Sequence, residues 1–380
     1  MTDPFDEALN EGIESSEDVD IDNLLFEEFE DDKEEHQKDK ELYTEHEDKN
    51  IDELVVAPDT KKEDLPEIHQ EMFNVIQETD RSAWEKGEGI QCKFDKLVEK
   101  MNGIQPGLGF VGAQSNVGKS GFLLSVGYSA TKHDDVYSLY FSLDDSARDL
   151  LPRIVSSDKK IPINAIRMPQ TFSEYPEILK RRKQGIEELY NSVDRFKMLD
   201  QNYGGTIEYI KEAIKNHYEY VEEHTDKKLF VQIDNFHDIH VEGENFYGDD
   251  NAKYGYIGKE LNDLAENLQI PIWCTAELRK SANNQRPTFD DIKAAGKLGY
   301  LAKICLMCYN EVGVDKGNAE VYYINEDRPG KSPIFEVDFN KNKLSTFKGK
   351  LYYEFVPEYG LYSECSEEDI EKYNNKVYQD

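Results

Sequence analysis

Along residues 107–355 short apolar runs alternate with longer segments whose apolar positions recur every three or four residues, the pattern of strands and helices taking turns. The runs "GLGFVGA", "VYSLYFSL", "RFKMLD", "KLFVQID" and "PIWCTAEL" read as buried strands. Between them, "KSGFLLSVGYSATKH", "TIEYIKEAIKNHYEYVEEH" and "YGYIGKELNDLAENLQ" read as helices. The second keeps Ile207, Ile210, Ile214, Tyr218 and Val221 on one face; the third keeps Ile257, Leu261, Leu264 and Leu268 together. The last third, "AKICLMCYN", "AEVYYIN", "SPIFEVDF" and "KLYYEF", is strand after strand with turn signals between. The pattern predicts one α/β domain: a mostly parallel sheet flanked by helices, extended by antiparallel strands and hairpins at the C-terminal end. No internal repeat is visible.

Ahead of this region the pattern changes twice. Residues 65–88 place Ile68, Met72, Phe73 and Ile76 on one helical face, then run into a Gly-containing linker. Residues 1–64, with stretches such as "EEFEDDKEEHQKDKELYTEHEDKN", have too little apolar surface to offset the entropy of ordering and read as a disordered acidic tail. Its pieces "DPFDEAL" and "IDNLLFEEFE" could dock into a basic groove on a partner. The expected divisions are thus 1–64 tail, 65–88 linker helix and linker, 89–357 the α/β domain, and 358–380 a second acidic tail.

Charge sharpens that division. The chain of 380 residues carries a formal net charge of −34, of which residues 1–80 contribute −24 and the remaining 300 only −10. No apolar run is long enough to span a bilayer and no basic-then-apolar leader opens the chain, so a soluble, cytoplasmic protein is expected. The five cysteines, Cys92, Cys274, Cys305, Cys308 and Cys365, form no disulfide framework. Cys305 and Cys308 are spaced C-x-x-C but lie within a strand, which sends them to opposite faces and makes them core residues rather than metal ligands.

The candidate chemistry starts at "VGAQSNVGKSGF", residues 111–122. Ala113, four residues, then Gly118, Lys119 and Ser120 between a strand and a helix give the spacing of a P-loop. Backbone N–H groups of Gln114, Ser115, Asn116, Val117, Gly118 and Gly121 are expected around the phosphates of ATP, with Lys119 on the terminal phosphates and Ser120 on Mg²⁺. Alanine at the first position is tolerable where the backbone dihedrals are ordinary. Asp234, ending "LFVQID", is the expected second metal-side acid. "YFSLDDSAR" supplies Asp144 as a candidate base for the attacking water, with Asp145 as a candidate helix cap.

Taken in order, "GIQCKFDKLVEKMNGIQPGLGFVGAQSNVGKSGF", "VYSLYFSLDDSARDLLPRIVSS", "LFVQIDNFHDI", "IGKELNDLAENLQIPIWCTAELRKSANNQRPTFDDIKAAGKLGYLAKICLMCYNE" and "VYYINEDRPGKSPIFEVDF" resemble the RecA-type ATPase domain of DnaB-family replicative helicases, particularly phage versions. The resemblance spans about 270 residues. It implies a RecA-like P-loop NTPase fold, a homohexameric ring with ATP between subunits, single-stranded DNA in the channel and translocation by ATP hydrolysis. It implies that the 65–80 helix packs on a neighbouring subunit, and that the acidic tail stands where the family contacts primase or a loader, so that a replication partner could bind it.

The resemblance also assigns roles and exposes departures. The family's catalytic glutamate falls on Asp144, its γ-phosphate-sensing glutamine on Glu277, and its arginine finger, donated across the subunit interface, on Arg328; Glu326 stands where the family has lysine. Each acidic replacement alters the charge around a triphosphate. The family's channel loops correspond to "VEGENFYGDDNAKYGY", in which only Lys253 is basic, and to a loop offering Arg279, Lys280, Arg286, Lys293 and Lys297 for DNA phosphates. A DNA-stimulated ATPase lacking unwinding activity, such as a loader or recombination accessory, and a nucleotide-gated assembly protein without turnover are the alternatives.

Overall fold

The computed structural model describes residues 55–85, 89–133, 135–243, 246, 248–279, 285–325 and 330–378. Most of the acidic tail, Lys280, Glu326 and Arg328 lie outside the described residues. The chain divides into two compact units, residues 1–87 and 88–380. In the first, a 3-10 turn at Lys62–Asp64 precedes helix α1 (Glu67–Glu85). Asp80 of α1 accepts the Val56 N–H at 2.7 Å.

The second unit is built on one ten-stranded sheet. Its parallel part comprises β1 (Gly107–Ala113), β2 (Val136–Ser142), β3 (Phe196–Asp200), β4 (Lys228–Asp234), β5 (Pro271–Glu277) and β6 (Ile304–Tyr309). These lie in the order β6-β1-β5-β4-β2-β3. Every residue of β1 and β2 is buried, as expected of strands covered by helices on both faces. Alternation divides the core in two. Val111, Trp273, Leu306 and Cys308 pack with helix α2 (Asp95–Met101) and helix α3 (Lys119–His133) on one side. Phe110, Cys274, Cys305 and Met307 pack on the other side with helix α7 (Ile207–His224) and helix α8 (Asp250–Leu268). Cys305 and Cys308 thus face opposite cores, both buried thiols.

Between β2 and β3 run α4 (Ala147–Lys159), α5 (Ile163–Arg167) and α6 (Pro176–Asn191). Helix α8 starts four residues before the expected Tyr254, because Asp249 caps it by accepting the Ala252 N–H. A short helix α9 (Ala295–Leu301) precedes β6, and α10 (Glu311–Asp315) follows it.

Beyond β6 the sheet turns antiparallel. β7 (Tyr322–Ile324) forms a hairpin with β8 (Lys331–Asn342), and β8 and β9 (Lys350–Val356) continue the sheet from β6. Residues 358–380 depart from expectation. They carry β10 (Leu361–Glu364), paired with β9, and helix α11 (Glu367–Val377). The charge of this segment conceals Tyr362, Cys365 and Tyr373, which are 4%, 4% and 1% exposed. Glu364 accepts the Lys96 N–H at 2.9 Å, and the Lys96 ammonium donates to the Cys365 carbonyl at 2.7 Å, tying the segment to α2.

Candidate nucleotide site and its surroundings

The C-terminal ends of the parallel strands converge where an α/β sheet places its ligands. Ala113 ends β1 as an ordinary strand residue, paired with Glu277 of β5, so the missing glycine costs the loop nothing. Its strained positions come later, at Asn116 (φ 65°) and Gly118 (φ 118°). At Gly118 a Cβ would also stand 2.8 Å from the Tyr362 hydroxyl. Lys119 and Ser120 then open α3, whose first N–H groups are free for an anion.

Tyr362 was not legible as a site residue. Its hydroxyl donates to the Gly118 carbonyl at 2.8 Å, while its ring stacks on Phe355 with centroids 4.5 Å apart and meets Phe335 edge-on at 5.0 Å. A strand lying 244 residues downstream thus braces the loop. Tyr362→Phe keeps the ring and loses one hydrogen bond, so KM for ATP should rise about three- to tenfold with kcat within about twofold. Steady-state kinetics on the two proteins check it.

Asp234 ends β4, 2% exposed. Ser120 donates to its Oδ1 at 3.1 Å, Tyr140 to its Oδ2 at 3.1 Å, and the Thr275 hydroxyl to Oδ1. Burial raises its pKa above the usual carboxylate range, opposed only in part by these hydroxyls and nearby Lys119. No set of three or more His, Cys, Asp or Glu among the described residues could hold a metal ion by itself. One hydroxyl and one buried carboxylate are nevertheless the protein ligands that a phosphate-bound Mg²⁺ needs, phosphate and water supplying the rest. The residues fit the ion.

Asp144 is exposed, two residues past the Ser142–Asp234 strand pairing. Asp145 is not the helix cap. It pairs with Arg153 at 2.9 Å; Ser146 takes the cap position without a capping bond, and Asp200 at the end of β3 accepts the Ala147 N–H. Asp238, which no motif of the sequence marks, is half-buried and held by Asn235 at 3.0 Å. Burial first, then the charges of Asp144, Glu277 and Asp234, raise its pKa. Asp144, Asp234 and Glu277 thus share the neighbourhood of Asp238, and Lys119 lies close to Asp234 and Glu277.

Glu277 forms an ion pair with Lys293. The bond to Lys293 holds its carboxyl below the usual range, against partial desolvation. Residues 277–279 and 291–293 run side by side: the Arg279 N–H donates to the Asp291 carbonyl at 2.7 Å and the Lys293 N–H to the Glu277 carbonyl at 3.3 Å. His237 spans the two segments, with Nδ1 accepting the Glu277 N–H at 3.1 Å and Nε2 3.3 Å from the Lys293 carbonyl. Burial lowers its pKa to about 4, which keeps the ring neutral and leaves Nε2–H as the donor.

Of the five cations expected on DNA, Arg279 and Lys297 are exposed, Lys293 is committed to Glu277 and Lys280 lies outside the described residues. Arg286 is placed differently from the expectation. Its fork makes two 2.8 Å bonds to Glu336, itself 1% exposed, and a third bond of 3.1 Å to Glu311, with the guanidinium over Tyr309. That geometry neutralises a buried carboxylate. Arg286→Ala should therefore cost about 3–5 kcal/mol of stability, the penalty for orphaning a buried charge. Denaturant unfolding measures it; a loss under about 1 kcal/mol would return Arg286 to the DNA-facing set.

A family model for the DnaB-like helicase C terminal domain matches residues 89–348. The chain belongs to that family. It is 24% identical over 251 residues to the replicative DNA helicase DnaB of Pasteurella multocida (strain Pm70), covering 64% of this chain and 51% of the relative. To the DnaB of Helicobacter pylori (strain J99 / ATCC 700824) it is 25% identical over 251 residues, covering 64% and 49%. The DnaB-like chain spans about half the length of these curated relatives.

Two solved structures share the fold. One, an ATPase domain on its own, superposes with a TM-score of 0.64 at 19% identity, covering 80% of this chain and 100% of that one. The other, a DnaB-like replicative helicase described with its interactions with primase, gives 0.63 at 20% identity, covering 80% and 68%. The RecA-like DnaB fold read from the residues is thus the observed one. Tyr362 and the strand carrying it lie beyond the family-matched residues. No helix among the described residues is long and apolar enough to cross a membrane.

Proposed function

We propose that this DnaB-like chain is an ATP-driven replicative DNA helicase, a homohexameric ring that translocates on single-stranded DNA in the cytoplasm. The observation that carries the reading is the Ser120–Asp234 hydrogen bond, which joins the helix after the P-loop to the acid at the end of β4. Lys119 and the loop amides hold the triphosphate of ATP, while Ser120 and Asp234 hold Mg²⁺. Bound Mg²⁺ supplies neutralisation of phosphate charge. Asp144, exposed at the end of its strand, orients the water; Glu277 and Lys293 face the γ-phosphate end; Arg328 of one subunit completes the site of the next.

The test is ATP hydrolysis with and without single-stranded DNA, followed by displacement of an annealed strand. Stimulation by DNA together with displacement supports a helicase. Stimulation without displacement turns the reading into a loader or recombination accessory. Binding of ATP without phosphate release favours the assembly protein, in keeping with the acidic residues at positions 144, 277 and 326. The solution mass with and without ATP tests the ring, and with it the role of Arg328 in trans. The acidic N-terminal tail is the proposed contact for a replication partner, and Arg279, Lys280 and Lys297 the proposed phosphate contacts on DNA.

A further inference from the structure

A glutamate beside a triphosphate is an electrostatic problem. Glu277 is the direct strand partner of Ala113, where the P-loop begins, and it lies near enough to Lys119 for that ammonium to lower its pKa. Three more carboxylates, Asp144, Asp234 and Asp238, share the neighbourhood. Left bare, the Glu277 charge would add to theirs and oppose nucleotide binding.

Glu277 is not left bare. Lys293 meets its carboxylate, the two backbones bond to each other, and the neutral His237 ring holds the Glu277 N–H on one nitrogen and faces the Lys293 carbonyl with the other. The pair is fixed at main chain as well as side chain. As a source of stability it counts for little, because the two side chains are 38% and 41% exposed and exposed pairs contribute little. Its location is what matters.

We propose that Lys293 is a positioning residue for nucleotide binding, converting Glu277 into a charge-neutral unit at the γ-phosphate end of the site. The inference rests on the proposed binding of ATP at this P-loop. It gives the acidic departure at position 277 a compensating partner within the same subunit, supplied by the neighbouring backbone segment.

The experiment uses the full chain without DNA, reading ATP turnover and the affinity for a fluorescent ATP analogue in parallel. Lys293→Met should raise both KM and the dissociation constant about tenfold or more, the exposed Glu277 charge now opposing the phosphates, with kcat changed far less. Glu277→Gln alone should lower KM, since Lys293 is freed for phosphate. Measured on the Glu277→Gln background, Lys293→Met should cost no more than about threefold, against tenfold or more on the parent, and Lys293→Arg should keep parental values. The inference is overturned if Lys293→Met stays within about twofold of the parent, or if the double variant is as impaired as Lys293→Met. If the parent binds analogue but does not turn over, the affinity arm still decides. Failure of the parent to bind any nucleotide would refute the proposed function itself, whereas normal binding with strictly additive effects would refute only the pairing.

Discussion

Lys119→Ala is expected to reduce ATP turnover by about 10²–10³-fold or more, the scale of removing one preorganised charge-stabilising donor from a reacting group. Lys119 is the first residue of α3, partly exposed, with no hydrogen bond or ion pair among the described residues. Its ammonium reaches the fold only through its charge beside Asp234 and Glu277, and no described hydrogen bond depends on it. The melting temperature should therefore stay within about 2 °C of the parent, as for surface substitutions in general. Phosphate release and thermal melting on the same preparation separate the two effects. Turnover within tenfold of the parent would remove the P-loop from the chemistry, or expose a contaminating ATPase.

Asp234→Asn should also reduce turnover by about 10²–10³-fold, and it should do so without destabilising the protein. The carboxylate is buried, its pKa raised by desolvation, and three hydroxyl groups donate to it. Keeping a buried anion is costly. An amide of the same shape removes that cost, and hydroxyls can turn to accept from its NH₂ as well as donate to its oxygen. The melting temperature should accordingly hold or rise, a site that sacrifices stability for function. Excess Mg²⁺ should not restore activity. A protein that melts lower and still hydrolyses ATP would make Asp234 a structural residue.

The sheet was legible because its central strands are unbroken apolar runs and its helices keep a clean period; β1, β2, β4 and β5 fall on the residues their pattern predicts. The P-loop was legible because spacing, strand and helix all bear on one short segment. What escaped has physical reasons. The C-terminal segment was read by its charge, but three buried side chains, Tyr362, Cys365 and Tyr373, are enough to fold it onto the sheet. Arg286 looked like a phosphate contact because a cation in a loop carries no mark of its partner, and Glu336 sits fifty residues further along the chain. Asp145 was one residue from the true cap position, and the N–H it was meant to satisfy is met by Asp200 from another strand. Asp238 and His237 act through neighbours that the chain brings together only on folding. Pairings at long sequence separation leave no periodic trace.

The brace on the P-loop also has a history within each molecule's synthesis. The chain is made from its N-terminus, so Gly118 exists long before Tyr362, which follows 244 residues later. While the nascent chain lengthens, β1, α3 and their neighbours can assemble, yet the loop carbonyl still lacks its donor and the aromatic stack of Phe335, Phe355 and Tyr362 is open. The bond to the Gly118 carbonyl forms only once β10 has joined the sheet. A chain ending between β9 and Tyr362 would lack both the donor to the Gly118 carbonyl and the ring that closes the stack.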